Sequence, residues 1–203
     1  LAAPDKYNRN AWDDDETNDE QWPYRVKFSG TDLLGNVTIP EGDPTDVETS
    51  LEVSLDASSE SYPLYTFNLL NDGVMEKIAK AFKLQPSEIA SATLETGVVK
   101  AEGFTGPADG KVAVGLTNPD GKVSYAYSAN GIGFWIAEDG SAGVWGDGTK
   151  IYFEYDAGGY ALTVGHKPGA SEKGKTYTIK PTMVYNKNGK LHKAVITIKM
   201  KFA

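Results

Sequence analysis

From residue 47 onward, apolar and polar positions alternate through much of the chain, and a period of two marks strands with one buried face. In TDVETSLEVSLDA, Val47, Leu51, Val53 and Leu55 share one side while Glu48, Glu52 and Ser54 take the other. The same reading predicts strands at Lys111–Leu116, Val123–Tyr127, Ile132–Ile136, Ile151–Tyr155, Tyr160–His166 and Thr176–Tyr185. At the C-terminal end, Ala194, Ile196, Ile198, Met200 and Phe202 face inward against outward Val195, Thr197, Lys199 and Lys201. Asp-Gly or Asn-Gly pairs at 109–110, 120–121, 139–140, 147–148 and 188–189 fall between these runs. Such pairs are strong hairpin signals.

One segment follows a different period. In NDGVMEKIAKAFKL, Val74, Ile78 and Phe82 recur at i, i+4 and i+8, flanked by Met75 and Ala79, with Asn71 or Asp72 as the expected N-cap. Pro86 opens a second short helical stretch, PSEIASATL. The expected fold is therefore mainly β. It is an antiparallel, jelly-roll-like β-sandwich with a short helical insert near residues 71–93, the helices capping one end.

Length and composition are consistent with this. A chain of 203 residues suits one β-rich domain. Without cysteine, neither a disulfide framework nor a Cys-based zinc site can form. The formal charge of −8 is uneven: residues 1–60 carry fifteen acids against Lys6, Arg9, Arg25 and Lys27, whereas the remainder is net basic by three. Residues 1–22 read as an acidic leader with Trp12 and Trp22 as anchors, and residues 23–203 as the folded domain. Only two arginines occur, so no arginine-backed basic surface for nucleic acid is expected. No run is apolar enough to span a membrane. The start at Leu1 leads us to expect a signal peptide removed upstream, and hence an extracytoplasmic location.

Reactive chemistry is sparse. His166 and His192 lack ligand spacing, and there is no HExxH or G-x-S-x-G motif. We expect no catalytic residues, no resident metal and no cofactor. Glu138, Asp139, Glu154 and Asp156 are the acids near aromatic strands that a glycoside hydrolase would have to use. The acidic cluster between Asp13 and Glu20 could offer oxygen ligands to calcium. It fails the EF-hand pattern, with Asn18 in place of Gly and Tyr24 in place of the closing Glu.

The most informative stretch is GIGFWIAEDGSAGVWG, residues 131–146. A two-residue turn at Asp139-Gly140 would pair residues whose numbers sum to 279, setting Phe134 against Trp145 and Trp135 against Val144. Phe134 alternates with Ile132 and Ile136 on the core side, which places Trp145 there too. Trp135, between Gly133 and Ala137, falls on the opposite face. On the next strand Tyr152 shares a face with Glu154. Trp135, Tyr152 and Glu154 are therefore the candidate ligand-binding residues. Exposed rings on a rigid sheet suit the C–H faces of sugars, with polar neighbours for the hydroxyls. The competing reading packs Trp135 into the protein, and a one-residue slip would exchange the faces. An exposed, coplanar aromatic pair would favour a sugar ligand. A contiguous apolar patch would favour a protein partner.

The succession GFWIAEDGSAGVWG, IYFEYD, YALTVGHKPG and GKTYTIKPTMVYN resembles a domain-of-unknown-function family of secreted Bacteroides-type surface lipoproteins. The resemblance rests on Trp135, Asp139, Gly140, Trp145, Gly146, Pro168, Gly169, Tyr177, Thr178 and Ile179, and spans roughly residues 46–203. It implies an exported, often lipid-anchored accessory module of a glycan-handling system, without assigned catalytic residues. Its partner would be a carbohydrate, or else a protein at the cell surface.

Overall fold

The computed structural model describes residues 35–95, 106–125, 132–143, 148–169 and 172–203. Among the described residues eleven strands and two helices follow in chain order: β1 Val47–Leu55, β2 Leu64–Asn68, α1 Val74–Phe82, α2 Pro86–Glu95, β3 Val112–Thr117, β4 Val123–Tyr125, β5 Ile132–Ile136, β6 Ala142–Gly143, β7 Ile151–Asp156, β8 Ala161–His166, β9 Thr176–Ile179, β10 Pro181–Lys187 and β11 Lys190–Phe202. They form two sheets. One has the order β1-β11-β10-β3-β4 with β9 also on β11, and the other has the order β2-β8-β7-β5-β6.

Alternation decides which faces meet. Ala194, Ile196, Ile198, Met200 and Phe202 of β11 are buried, and Lys199 and Lys201 are exposed. From the second sheet Ile132, Phe134, Ile136, Ile151, Phe153, Tyr155, Leu162 and Val164 join the same core. The Phe202 ring lies 4.7 Å from the ring of His166 on β8, edge to face, linking the sheets at one end. His166 is completely buried, its Nδ1 2.6 Å from the Lys167 carbonyl, so it is a core histidine.

The helices cover the rest of the first sheet's inner face. Val74, Met75, Ile78, Ala79 and Phe82 are all buried, as the helical stripe predicts, and Phe82 packs 5.5 Å from Tyr185 of β10. The start of α1 differs from expectation. Gly73 occupies the cap position with φ 69° and no side chain caps the helix. Asn68 has already drawn this stretch into a turn, its side-chain oxygen accepting from the N–H groups of Leu70 and Asn71. At α2, Glu88 reaches back to the Gln85 N–H at 2.6 Å, half of a capping box.

Two pairings could not be foreseen from periodicity. β1 and β11 run parallel, Val47 opposite Ala194 through to Leu55 opposite Phe202, so the first sheet is mixed rather than wholly antiparallel. β9 and β10 keep one register against β11, with Ile179 opposite Ile198 and Thr182 opposite Val195. The run Thr176–Tyr185 is thus one strand interrupted at Lys180, just before Pro181, which has no N–H to give the ladder.

Candidate functional site

The site is built on the outer face of the second sheet. Register alone assembles its central row. Trp135 of β5 lies opposite Gly143 of β6 on one side and Tyr152 of β7 on the other. Tyr152 lies opposite Gly165 of β8, and Gly165 opposite Leu64 of β2. Because Phe134 and Phe153 take the inner face, their neighbours Trp135 and Tyr152 emerge together, ring centroids 5.0 Å apart. Both are half-buried, and Glu154 on the same face is exposed.

The hairpin that carries Trp135 is not the two-residue turn expected. Trp135 pairs with Gly143 and Ile136 with Ala142, so opposed numbers sum to 278. Ala137 N–H donates to Ser141 C=O, leaving Glu138, Asp139 and Gly140 as a three-residue loop. The cause is local. The two-residue type I′ turn needs positive φ at both central residues, as Asn188 and Gly189 provide at 53° and 79°. In this loop only Gly140 is left-handed, at 87°. The Asp139 carboxylate instead accepts from the Ser141 N–H at 2.9 Å and hydroxyl at 2.6 Å. The shift leaves Trp135 on the outer face but moves its opposite number from Val144 to Gly143. Trp145, which the expected pairing assigned to the core, lies outside the described residues, as do Asp147, the acidic leader and its calcium reading.

Gly165 clears the ground beside the Tyr152 ring. A Cβ on Gly165 would sit 2.9 Å from Tyr152 Cζ and 2.8 Å from Leu64 Cδ2, so these two side chains meet above it. Trp135, Tyr152 and Leu64 therefore form one apolar stripe across β5, β7, β8 and β2. The stripe twists, the Trp135 and Tyr152 planes meeting at 53° rather than lying coplanar. Polar rows flank it on both sides. Glu154, Thr163 and Thr66 form one, the two threonine hydroxyls 2.8 Å apart. Lys150 and Lys167 form the other, joined by Lys167 N–H donating to the Lys150 carbonyl at 2.9 Å. Lys167 Nζ stands 5.2 Å from the Trp135 ring centroid, within cation–π range.

Just before β2, Tyr62 stands near enough to Tyr152 to act on its hydroxyl. Tyr62 and Leu64 are 47% and 54% exposed, the most open apolar side chains near the stripe. Tyr152's hydroxyl is held above the usual phenol range, first by partial burial and then by the nearby Glu154 and Tyr62. Trp135, Tyr152 and Glu154, the residues singled out in the sequence, thus share one face, and Lys167, Leu64 and Tyr62, which the sequence did not single out, lie beside them. The last two were hidden because β2 presents only Phe67 to the core and was not read as a strand. Gly165, a glycine inside a strand, was the available signal of close approach.

Two of the four acids near the aromatic strands, Glu138 and Asp139, are held by local partners. Glu138 accepts from Lys150 Nζ at 3.0 Å and Lys175 Nζ at 3.3 Å, which hold it below its ordinary range. The Ser141 hydroxyl and N–H do the same for Asp139. Among the described residues no His, Asp and Glu cluster could hold a metal ion. A cleft of about 310 Å³ between the two sheets' hairpins, lined by Thr117, Thr178, Lys180 and the turns at Asn118–Gly121 and Asp139–Gly140, contains no aromatic ring.

These ion pairs set an acid dependence. A carboxylate whose folded pKa is depressed contributes stability above its unfolded value and loses it as pH falls through the folded one. Glu138 should therefore lend stability at neutral pH that fades below the ordinary carboxylate range. A melting-temperature series from pH 7 to pH 3 is expected to fall less steeply for Glu138→Gln than for the native chain. Parallel curves would show the pairs to be thermodynamically silent, as exposed pairs often are.

Residues 61–190, well over half of the chain, match the family described as Domain of unknown function (DUF4859). The chain belongs to the DUF4859 family. This agrees with the resemblance to a domain-of-unknown-function family seen in the aromatic hairpin and the strands after it. Every side chain of the outer-face site lies inside the DUF4859 segment, whereas β1 and nearly all of β11 lie outside it. Residues 1–35 match a second family, described as Family of unknown function (DUF6055). No curated protein and no solved structure matches the chain.

Proposed function

We propose that this DUF4859 chain is a non-catalytic, glycan-binding or glycan-associated accessory module of an exported bacterial surface protein. The observation that carries the reading is the pairing of Trp135 with Tyr152 on an outer sheet face between two polar rows. A pyranose needs that combination, an apolar surface beneath its C–H groups and donors and acceptors at its rim. Lys167, Glu154 and Thr163 supply them here. An extracytoplasmic setting, with a lipid anchor upstream, completes the proposal.

One stacked ring with a few hydrogen bonds is worth about −4 to −5 kcal/mol, a Kd near millimolar. Display in many copies on a surface would make such a site effective. A glycan array followed by calorimetry tests it. Trp135→Ala is expected to weaken binding at least about tenfold, given the worth of a stacked aromatic, while circular dichroism shows the fold retained. Glu154→Ala, at an exposed position, should weaken it less. Silence across plant, host and microbial glycans would remove the sugar reading.

A second reading is favoured by Tyr65, 46% exposed on edge strand β2 but on the side away from the stripe. An aromatic edge strand suits docking by a partner's strand. Tyr65→Asp should then abolish capture of a surface protein and leave sugar binding intact.

A further inference from the structure

We infer that the stripe takes a linear oligosaccharide laid across the strands, rather than a single sugar or a chain end. The inference rests on the sugar reading above and follows from how the apolar groups are spaced. Trp135, Tyr152 and Leu64 belong to one row on β5, β7 and β2, with Gly165 of β8 as the floor between the last two. Neighbouring strands are about 4.8 Å apart, so three steps give a stripe of about 14 Å. A single pyranose covers only part of that length.

The ring planes point the same way. At 53° to one another, Trp135 and Tyr152 cannot both lie flat under one sugar. They can each support one of two successive units of a chain that turns along its length, as the sheet beneath it twists. Leu64 then meets the third unit, and the exposed Tyr62, which acts on the Tyr152 hydroxyl, stands beside it. The polar rows run parallel to the stripe about 6.7 Å to either side, two residues along each strand. Units over β7 and β8 therefore find partners at both edges, Glu154 and Thr163 on one side and Lys150 and Lys167 on the other, and Thr66 continues the first row to β2. A docked protein would have no need of polar groups repeated along both margins of a strip one side chain wide.

The specificity-determining residues added by this geometry are Leu64 and Tyr62. They contribute only when the ligand is long enough to reach β2. Calorimetry of the full chain with cello-, xylo-, manno- and malto-oligosaccharides of one to six units tests it. Affinity should climb from the monosaccharide to about three units and then level off. Leu64→Ala, at an open position, should lower tetrasaccharide affinity about fivefold, the share expected of a partly covered leucine. Affinity for the monosaccharide should not change. Tyr62→Ala should behave alike, and Trp135→Ala should weaken every length. If affinity is flat from one unit onward, or Leu64→Ala weakens all lengths equally, the extended site is overturned and the sugar reading stands. If no series binds, both fall together.

Discussion

Cut to residues 61–190, the segment that matches DUF4859, the chain is expected to lose cooperative folding altogether. The cut removes β1 and leaves only the first residue of β11. β11 is the strand on which β1, β9 and β10 all pair, so its loss strips the first sheet of its central ladder. Ile196, Ile198, Met200 and Phe202 would leave with it, each no more than 2% exposed. Burying such side chains contributes about 1.5–3 kcal/mol apiece, so the four represent about 6–12 kcal/mol. That is comparable to the whole net stability of an ordinary domain, about 5–15 kcal/mol. His166 and Tyr177 would lose the Phe202 ring between them. Urea denaturation of the full chain should give one sigmoidal transition, whereas the 61–190 fragment should give none and bind a dye for exposed apolar surface. A cooperative transition in the fragment would mean that the second sheet and helices fold without β11.

How far the sequence can be read depends on what each feature requires. β1, β5, β7 and β11 were legible because every second residue enters a core, and burial on one face writes a period of two. α1 was legible because its buried stripe repeats at helical spacing. β2 was not, since an edge strand with a single buried side chain carries almost no periodicity. The parallel pairing of β1 with β11 was also hidden, because alternation fixes which face is buried but not which strand lies alongside. Asp139-Gly140 shows a subtler limit. The dipeptide serves both a two-residue and a three-residue hairpin loop, and Ser141, by donating its N–H and hydroxyl to the Asp139 carboxylate, selects the longer. The site followed the same rule. Trp135 and Tyr152 were placed together by the parity of their strands, which a one-residue change in the β6 partner does not disturb. Their mutual angle, the reach of Lys167 and the contribution of Leu64 depend on side chains meeting across strands, and no single strand encodes those.

Gly165→Ala should damage both the fold and the site, and a second glycine on the same face provides the comparison. Neither Gly165 nor Gly133 has a positive φ, so alanine suits both backbones and the outcome depends on space alone. At Gly165 the new methyl would stand 2.7 Å from the Pro63 carbonyl oxygen, 2.8 Å from Leu64 Cδ2 and 2.9 Å from Tyr152 Cζ. A leucine tip can turn away, but the Pro63 carbonyl is backbone at the entrance to β2. Relief therefore requires that β2 draw back from β8 or that the Tyr152 ring lift off its floor. Overpacking of this kind costs about 1–3 kcal/mol. At Gly133 the nearest atoms are Glu154 Cγ at 3.3 Å and the Phe153 oxygen at 3.4 Å, and the glutamate is exposed and free to swing. Gly133→Ala should change stability little. Thermal melts and calorimetry with a bound oligosaccharide would separate the two effects. For Gly165→Ala we expect a lower melting temperature together with loss of binding, because displacing Tyr152 breaks the stripe between Trp135 and Leu64. Should the variant melt lower yet bind as well as the native chain, Tyr152 and Leu64 do not act together over Gly165. The ligand surface would then reduce to Trp135 and its immediate neighbours.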